Sequence, residues 1–162
     1  MKPFKEFLTE NYIFNGKEAP KQLIKNKKLS AFHVSKSPSL NINNLRSYKS
    51  DESILHHMHI GTKDQAKERA NFSWSEGLHS GSFFLYKVTI DTTKMVPVIY
   101  QQDDPEFEAL EYEKQGYTTL CYMNAHESAG DEASIVVMNK NAILSLNRIA
   151  ELKQPAWMEE EL

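Results

Sequence analysis

The sequence of 162 residues contains little cysteine, little arginine and no long apolar run. Its single cysteine, Cys121, excludes an internal disulfide and is typical of proteins in a reducing compartment. No apolar stretch approaches the roughly 20 residues that cross a bilayer, so we expect no membrane partner. Only three of the 19 cationic residues are arginines and the formal net charge is −3, which argues against strong nucleic-acid binding.

Motifs for several kinds of chemistry are missing as well. The chain has no G-x-G-x-x-G or P-loop pattern for phosphate binding and no G-x-S-x-G pattern for a serine nucleophile. Cys121 lies within an apolar run, which predicts a buried and unreactive thiol. In the cluster of His56, His57 and His59, only the last two would share one face of a strand, and two imidazoles are half of a zinc site. We therefore expect no metal site.

What remains is the composition of one small globular domain, with 40% hydrophobic and 25% charged residues. Thr62 and Gln65 match a capping box, which predicts a helix that begins at Thr62 and runs to about Phe72. A second helix is predicted over 105–115. Strands interspersed with helices predict an α+β fold. The predicted strands are 31–34, 57–60, 82–91, 95–100, 118–124 and 133–139.

Changes in composition divide the chain into four segments. The first is a short amphipathic stretch in which Phe4, Phe7 and Leu8 would share one face of a helix. The second is polar and lysine-rich and predicts a helical or linker segment. The third carries the strands and helices of the main domain, and the fourth is predicted to be an acidic tail. These segments are residues 1–10, 11–30, 31–150 and 151–162.

The strongest candidate for chemistry is a strand that leads into a loop carrying a carboxylate. The strand predicted for 118–124 ends at Asn124, and Glu127 follows in an acidic loop before the next strand begins. A single acid in a loop is most often solvated surface, so Glu127 alone identifies no activity. It becomes a candidate catalytic residue because of the sequence blocks around it.

Three blocks of the sequence together match the pattern of a known family in order and spacing. They are Phe32-His33-Val34-Ser35, then His59-Ile60-Gly61-Thr62-Lys63-Asp64-Gln65-Ala66, and finally Gly116-Tyr117 through Tyr122-Met123-Asn124 with Glu127 and Ser134-Ile135-Val136-Val137. In order and spacing these blocks resemble the ADP-ribosyltransferase-like domains of phage polyvalent proteins and bacterial toxins. The resemblance covers residues 30–147. The chain departs from the family pattern at Val34, where glycine is frequent, and at Ile135, where tyrosine is common.

This resemblance implies two small, mainly antiparallel sheets with flanking helices around a cleft that binds NAD as a substrate. Glu127 matches the catalytic glutamate, which stabilises the oxocarbenium-like state formed when the bond between nicotinamide and ribose breaks. His33 matches a histidine that hydrogen-bonds the adenosine ribose, and Asn124 would orient the glutamate loop. The residues implied to contact NAD are His33, Ser35, Thr62, Tyr122 and Asn124.

Some of these assignments keep an alternative. Thr62 could serve only as the N-cap of its own helix, and Tyr122 could stack on a ligand or simply pack in the core. One subgroup of the family sandwiches nicotinamide with a further tyrosine. Its candidates in this chain are Tyr48, Tyr86 and Tyr100.

The first ten residues resemble the capsid-targeting peptide of internal head proteins in T-even-type phages. In those proteins a prohead protease cuts after a Leu/Ile-x-Glu sequence, and Leu8-Thr9-Glu10 is such a sequence. The resemblance implies that residues 1–10 bind phage scaffold proteins and are then removed by the protease. It also implies a location in the virion interior, followed by the host cytoplasm.

Together the two resemblances imply an internal head protein that is injected into the host and transfers ADP-ribose from NAD to a host protein or nucleic acid. Two alternatives stay open. The same fold could be a non-enzymatic binding module that inhibits a host defence enzyme, or the chain could be a phage structural protein without a host target.

Overall fold

The structure, a computed structural model, describes residues 12–18, 28–45, 48–49, 55–56, 58–97, 99, 105–124 and 132–159. Its strands are β1 (Tyr12–Ile13), β2 (Lys28–Ser35), β3 (Tyr48–Lys49), β4 (Leu55–His56), β5 (Met58–Ile60), β6 (Phe83–Asp91), β7 (Thr119–Met123), β8 (Ala133–Val137) and β9 (Ile143–Leu152). Its helices are α1 (Lys63–Ser75), α2 (Pro105–Lys114) and α3 (Ala156–Glu159), with 3-10 turns at Ile42–Asn44 and Lys140–Ala142.

Two small sheets carry most of these strands. The first sheet has the order β1–β2–β6–β9, and the second has the order β5–β8–β7. Neighbouring strands are antiparallel in both sheets except β1, which runs parallel to β2. Strands β3 and β4 form a separate antiparallel pair. The predicted α+β class with two small, mainly antiparallel sheets is therefore confirmed.

The two sheets pack face to face, and a helix covers the outer face of each. Apolar side chains of β2 and β6 share one core with side chains of β5, β7 and β8. Ala70 and Trp74 of α1 pack against the other face of the first sheet. Ala109 of α2 packs against the outer face of the second sheet. The layers therefore run α1, first sheet, second sheet, α2, which explains why β8 is buried along its whole length.

One pair of residues joins the two sheets directly. The amide of Phe32 in β2 donates to the carbonyl of Gly61 at 2.8 Å, and the amide of Gly61 donates to the carbonyl of Phe32 at 2.9 Å. Gly61 follows β5 immediately, so β2 pairs both with β6 and, at this single point, with the end of β5. This antiparallel bridge sets where the sheets meet, and it lies next to the start of α1.

Helix α1 begins as the sequence predicts. Thr62 Oγ1 accepts from the amide of Gln65 at 3.2 Å, and Gln65 Oε1 accepts from the amide of Thr62 at 2.8 Å, which completes the capping box. Gln65 Nε2 also donates to the carbonyl of Ala133 at the start of β8, at 3.1 Å. One buried side chain therefore fastens the first turn of α1 to the second sheet. The helix continues to Ser75, a little beyond its predicted end.

The domain extends beyond its predicted boundaries at both ends. In the described part of 11–30, β1 pairs with β2 and Phe14 is buried in the core between the sheets, so this part is not a linker. In the segment 151–162, the first two residues complete β9, and Met158 of α3 packs against the core beneath α1. The described part of this segment therefore packs as part of the domain, and residues 160–162 lie outside the described residues. Residues 1–10 lie outside the described residues.

The strand predicted for 95–100 is wrong where the structure describes that segment. Met95 forms a single parallel bridge with Thr119, and the amide of Val96 donates to the Thr119 carbonyl. Pro97 follows and has no N–H group with which to continue a ladder. The strands predicted around β2, β6, β7 and β8 are confirmed, and residues 58–60 of the predicted strand 57–60 form β5.

We predict that Gly61→Ala lowers the free energy of unfolding by about 2 kcal/mol, because the added Cβ would overlap Gln65 Oε1 and push that side chain out of the capping box. Chemical denaturation of the two single variants and of the double variant Gly61→Ala/Gln65→Ala measures this cost. In the Gln65→Ala background the overlap is gone, so the added cost of Gly61→Ala should fall below about 0.5 kcal/mol. Equal costs in both backgrounds would contradict this packing.

Candidate functional site

A narrow groove opens beside the Phe32–Gly61 bridge, between α1 and residues of β2, β5, β7 and β8. Its enclosed part has room for about one water molecule, and the rest is open to solvent. His33 and Tyr122, which belong to the first and third of the sequence blocks that carry the family resemblance, both line this groove. The polar side chains that line it are His33, His59, Gln65, Arg69, Tyr122 and Ser134.

His33 presents a neutral hydrogen-bond acceptor in this groove. Its Nδ1 lies 2.8 Å from the carbonyl oxygen of His59, which can only accept, so Nδ1 carries the proton and Nε2 does not. Burial lowers the pKa of His33 to about 4. The hydrogen bond to the His59 carbonyl raises the pKa and offsets part of this effect. The positive charge of Arg69 lowers this pKa further. The imidazole is therefore uncharged at neutral pH.

His59 and Tyr122 connect the two outer strands of the second sheet. His59 Nδ1 and the Tyr122 hydroxyl share a hydrogen bond of 3.0 Å, and the rings meet edge to face with centroids 5.8 Å apart. Tyr122 is buried, so this contact holds its phenol against the groove wall. Since the carbonyl of His59 also holds His33, a continuous set of hydrogen bonds runs from the first sheet to β7.

Asn124 fastens the ends of β7 and β8 together. Its amide N–H donates to the carbonyl of Glu132 at 3.0 Å, and its side-chain Nδ2 donates to Ser134 Oγ at 3.0 Å. Both side chains are buried. β7 ends and β8 begins at this point. Glu127 lies outside the described residues.

Two implied NAD contacts, Ser35 and Thr62, are placed elsewhere. The Ser35 hydroxyl accepts from the amide of Ser37 at 3.1 Å in the turn that follows β2. Thr62 caps α1, which is the alternative that the sequence left open. Neither residue is among those that line the groove. Both hydroxyls serve the local backbone instead, as serine and threonine side chains commonly do.

Of the three tyrosines that could stack on nicotinamide, two remain candidates. Tyr86 is buried in the core, where its hydroxyl donates to the carbonyl of Ser37 at 2.6 Å and accepts from the amide of Leu40 at 3.0 Å. It anchors the turn after β2 and does not line the groove. The side chain of Tyr48 and the whole of Tyr100 lie outside what the structure describes.

Sequence reasoning missed Arg69 and the structural part played by Gln65. Both lie on α1 at positions i and i+4, so they project from the same face of the helix toward the groove. The capping box fixes where α1 begins, and helical spacing from Gln65 was the signal that could have found Arg69. What the sequence did not show is that this face of α1 meets the ends of four strands.

Other kinds of site find no support in the described residues. Cys121 is buried, and this burial raises the pKa of its thiol to about 12, so the predicted unreactive thiol is confirmed. Among the side chains that the structure describes, no three of His, Cys, Asp and Glu converge as metal ligands would. In the same ranges, every helix is too short or too polar to cross a bilayer.

Comparison of the chain with protein-family models, with curated proteins and with solved structures finds no match in any of the three.

We predict that the half-buried, neutral His33 makes the domain less stable in mild acid. Below pH 6.5 the unfolded chain binds a proton at His33 that the folded protein takes up only near pH 4, so stability falls as the pH falls through this window. Because His33 is half-buried, we expect a loss of at most about 2 kcal/mol between pH 7 and pH 5.

His33→Asn tests this, because an asparagine amide can still donate to the His59 carbonyl but does not titrate. Denaturation at pH 7 and at pH 5 should show a smaller loss of stability for His33→Asn than for the wild type. His79→Asn is the matched control, since His79 is also half-buried but lies outside the groove. An identical loss in the wild type and in His33→Asn would refute the prediction.

Proposed function

We propose that this chain binds NAD in the groove and transfers its ADP-ribose group to a host protein or nucleic acid, with a fold of the ADP-ribosyltransferase-like type. The observation that carries the proposal is the meeting of His33 and Tyr122 on one groove. These residues come from sequence blocks that are far apart in the chain. Their meeting at the junction of two small sheets is the arrangement expected of such a site.

His33 is suited to bind a ribose of the proposed substrate, NAD. Its neutral Nε2 can accept a hydrogen bond from a hydroxyl, and a ribose offers hydroxyl donors. A charged imidazolium could only donate, so the lowered pKa of His33 is consistent with binding a sugar hydroxyl. The hydrogen bond to the His59 carbonyl fixes the ring orientation before a ligand arrives, which lowers the entropic cost of binding.

The proposed reaction breaks the bond between the nicotinamide nitrogen and the ribose C1′. The bonding electron pair leaves with nicotinamide, and a nucleophile of the acceptor bonds to C1′ and loses its proton. A carboxylate beside the cationic sugar stabilises it, and we propose Glu127 for that role. Asn124 supports the proposal indirectly, because it ties together β7 and β8, the strands that precede and follow Glu127 in the sequence.

A second candidate function is a non-enzymatic module that inhibits a host defence enzyme. The observation that favours it is the small enclosed part of the groove, which has room for about one water molecule, whereas pockets for small molecules commonly measure roughly 300–1,000 Å³. A module of this kind would bind its partner by surface contacts and would not need Glu127.

We predict that the purified protein releases nicotinamide from NAD in the presence of host lysate, and that Glu127→Gln reduces the rate by about 10²- to 10⁴-fold. The reduction is expected because glutamine keeps the shape of the side chain but removes its negative charge. Glu132→Gln is the matched control, since Glu132 lies at the other end of the same segment and should keep most of the activity. Equal release by the wild type and Glu127→Gln, or none by either, would favour the binding module.

We also propose that residues 1–10 direct the chain into the phage head and are then removed. The support for this proposal is the amphipathic pattern of the segment and its Leu8-Thr9-Glu10 sequence. It is independent of the groove, because either a transferase or a binding module could be packaged in this way.

Mass spectrometry of mature virions tests the packaging proposal. We predict that the protein is present and that its first residue is Asn11, which is the product of cleavage after Glu10. Glu10→Ala should leave the segment attached, because the cleavage sequence is lost. Full-length wild-type protein in mature virions, or its absence from them, would count against the proposal.

A further inference from the structure

We propose that Ser134 is a ligand-binding residue of the groove and that, together with His33, it forms a site for one hydroxyl group of a ribose. The choice of a ribose rests on the proposed function. The argument for a hydroxyl rests on the size of the enclosed part of the groove and on the hydrogen-bonding groups that line it.

The register of the second sheet brings Ser134 to the junction of the two sheets. Strands β5 and β8 pair in a register that places Gly61, the residue after β5, level with Ser134. Gly61 is also bridged to Phe32, which His33 follows directly in β2. Ser134 and His33 therefore come from different sheets to the same junction, and both line the groove.

Ser134 supplies a hydrogen-bond donor. Its Oγ accepts from Asn124 Nδ2 at 3.0 Å, so the bond to Asn124 does not use the hydroxyl hydrogen. Within the described ranges of the chain, Asn124 is the one hydrogen-bond partner of this hydroxyl. The Ser134 side chain is buried, and a buried donor without an acceptor is unfavourable. A ligand atom that accepts from Ser134 removes this cost.

His33 supplies the complementary acceptor. Its Nδ1 donates to the His59 carbonyl, which leaves Nε2 to accept. A ligand hydroxyl can donate to His33 Nε2 and accept from Ser134 at the same time. A carbonyl oxygen can only accept and an ammonium group can only donate, so neither matches both residues.

The size of the site also favours a hydroxyl. The enclosed part of the groove has room for about one water molecule, and a hydroxyl group is of similar size. A ligand hydroxyl that reproduces the hydrogen bonds of a water in this position keeps their energy, whereas a ligand without the hydroxyl leaves both protein groups unpaired. The groove should therefore discriminate a ribose from a deoxyribose.

Other polar side chains that line the groove hold its walls in place. The side-chain amide of Gln65 is engaged with the backbone of Thr62 and of Ala133. His59 Nδ1 and the Tyr122 hydroxyl are hydrogen-bonded to each other. These bonds exist before a ligand arrives, so little side-chain entropy is lost when the ligand binds.

Calorimetric titration with AMP, 2′-deoxy-AMP and 3′-deoxy-AMP tests the proposal without any NAD turnover. We expect the wild type to bind AMP about 5- to 100-fold more tightly than one of the two deoxy forms, the range typical of buried polar groups that are left unpaired. The deoxy form that binds weakly identifies the recognised hydroxyl. Ser134→Ala should lower this preference at least about 3-fold, because only His33 then contacts the hydroxyl.

Ser30→Ala is the matched control for this experiment. Ser30 is also a buried serine whose hydroxyl is hydrogen-bonded to one side chain, that of Thr89, but it lies outside the groove. The preference of Ser30→Ala for AMP should equal that of the wild type. A loss of stability alone would lower the affinity for all three nucleotides together, so the preference separates ligand contact from a structural role.

Three results would overturn the proposal: equal affinity of the wild type for all three nucleotides, no binding of AMP at millimolar concentration, or an unchanged preference in Ser134→Ala. The first two are measured on the wild type and do not depend on the folding of a variant, and unfolding curves show whether Ser134→Ala folds.

The outcome is separable from that of the proposed function. A Ser134-dependent preference for AMP without nicotinamide release would leave this inference standing and reject the transferase. Nicotinamide release by a protein that binds AMP and its deoxy forms equally would do the reverse.

Discussion

The pair of hydrogen bonds between Phe32 and Gly61 is the contact on which the rest of the structure depends. It joins strands of two different sheets at one point. His33 follows Phe32 directly and His59 lies two residues before Gly61, so the bridge brings the His33 ring to the His59 carbonyl. The capping box begins at the next residue, Thr62, and starts α1 at the same place. One junction therefore assembles the groove from three elements.

The same junction explains the electrostatics of the groove. A protonated His33 would lie near Arg69 in a partly desolvated site, so the neutral form is favoured and the pKa falls. The groove therefore presents a neutral acceptor on His33 near the cationic donor Arg69. A ligand must match both groups, so this pair selects among ligands more strictly than two cations would. The transferase and the binding module that we propose share this arrangement. They differ in Glu127, which the transferase requires and the binding module does not.

Most of the elements that the sequence predicts correctly are encoded by local sequence patterns. The Thr62–Gln65 capping box and the apolar, β-branched runs of β6 and β8 depend on neighbours within a few residues, so they are legible in the sequence. Strand β9 was missed as a strand because it lies at the edge of its sheet. Its Leu144 and Ile149 are exposed, so it shows no regular alternation of apolar and polar residues.

The candidate site was only partly accessible to sequence reasoning. The resemblance led to His33 and Tyr122, and both line the groove. Ser35 and Thr62 matched the same pattern, but their hydroxyls satisfy backbone amides close by in the chain. Arg69 was missed because its importance comes from the packing of α1 at the sheet junction, a long-range contact that no short motif encodes.

We propose that NAD binds in the groove beside the Phe32–Gly61 bridge. NMR of the protein with ¹⁵N-labelled histidine tests it directly, because each imidazole reports on its own surroundings. On titration with NAD we predict saturable shifts of the His33 and His59 ring signals and no shift of His79, which is hydrogen-bonded to Ser82 outside the groove. Shifts confined to histidines away from the groove, or none at millimolar NAD, would contradict the account.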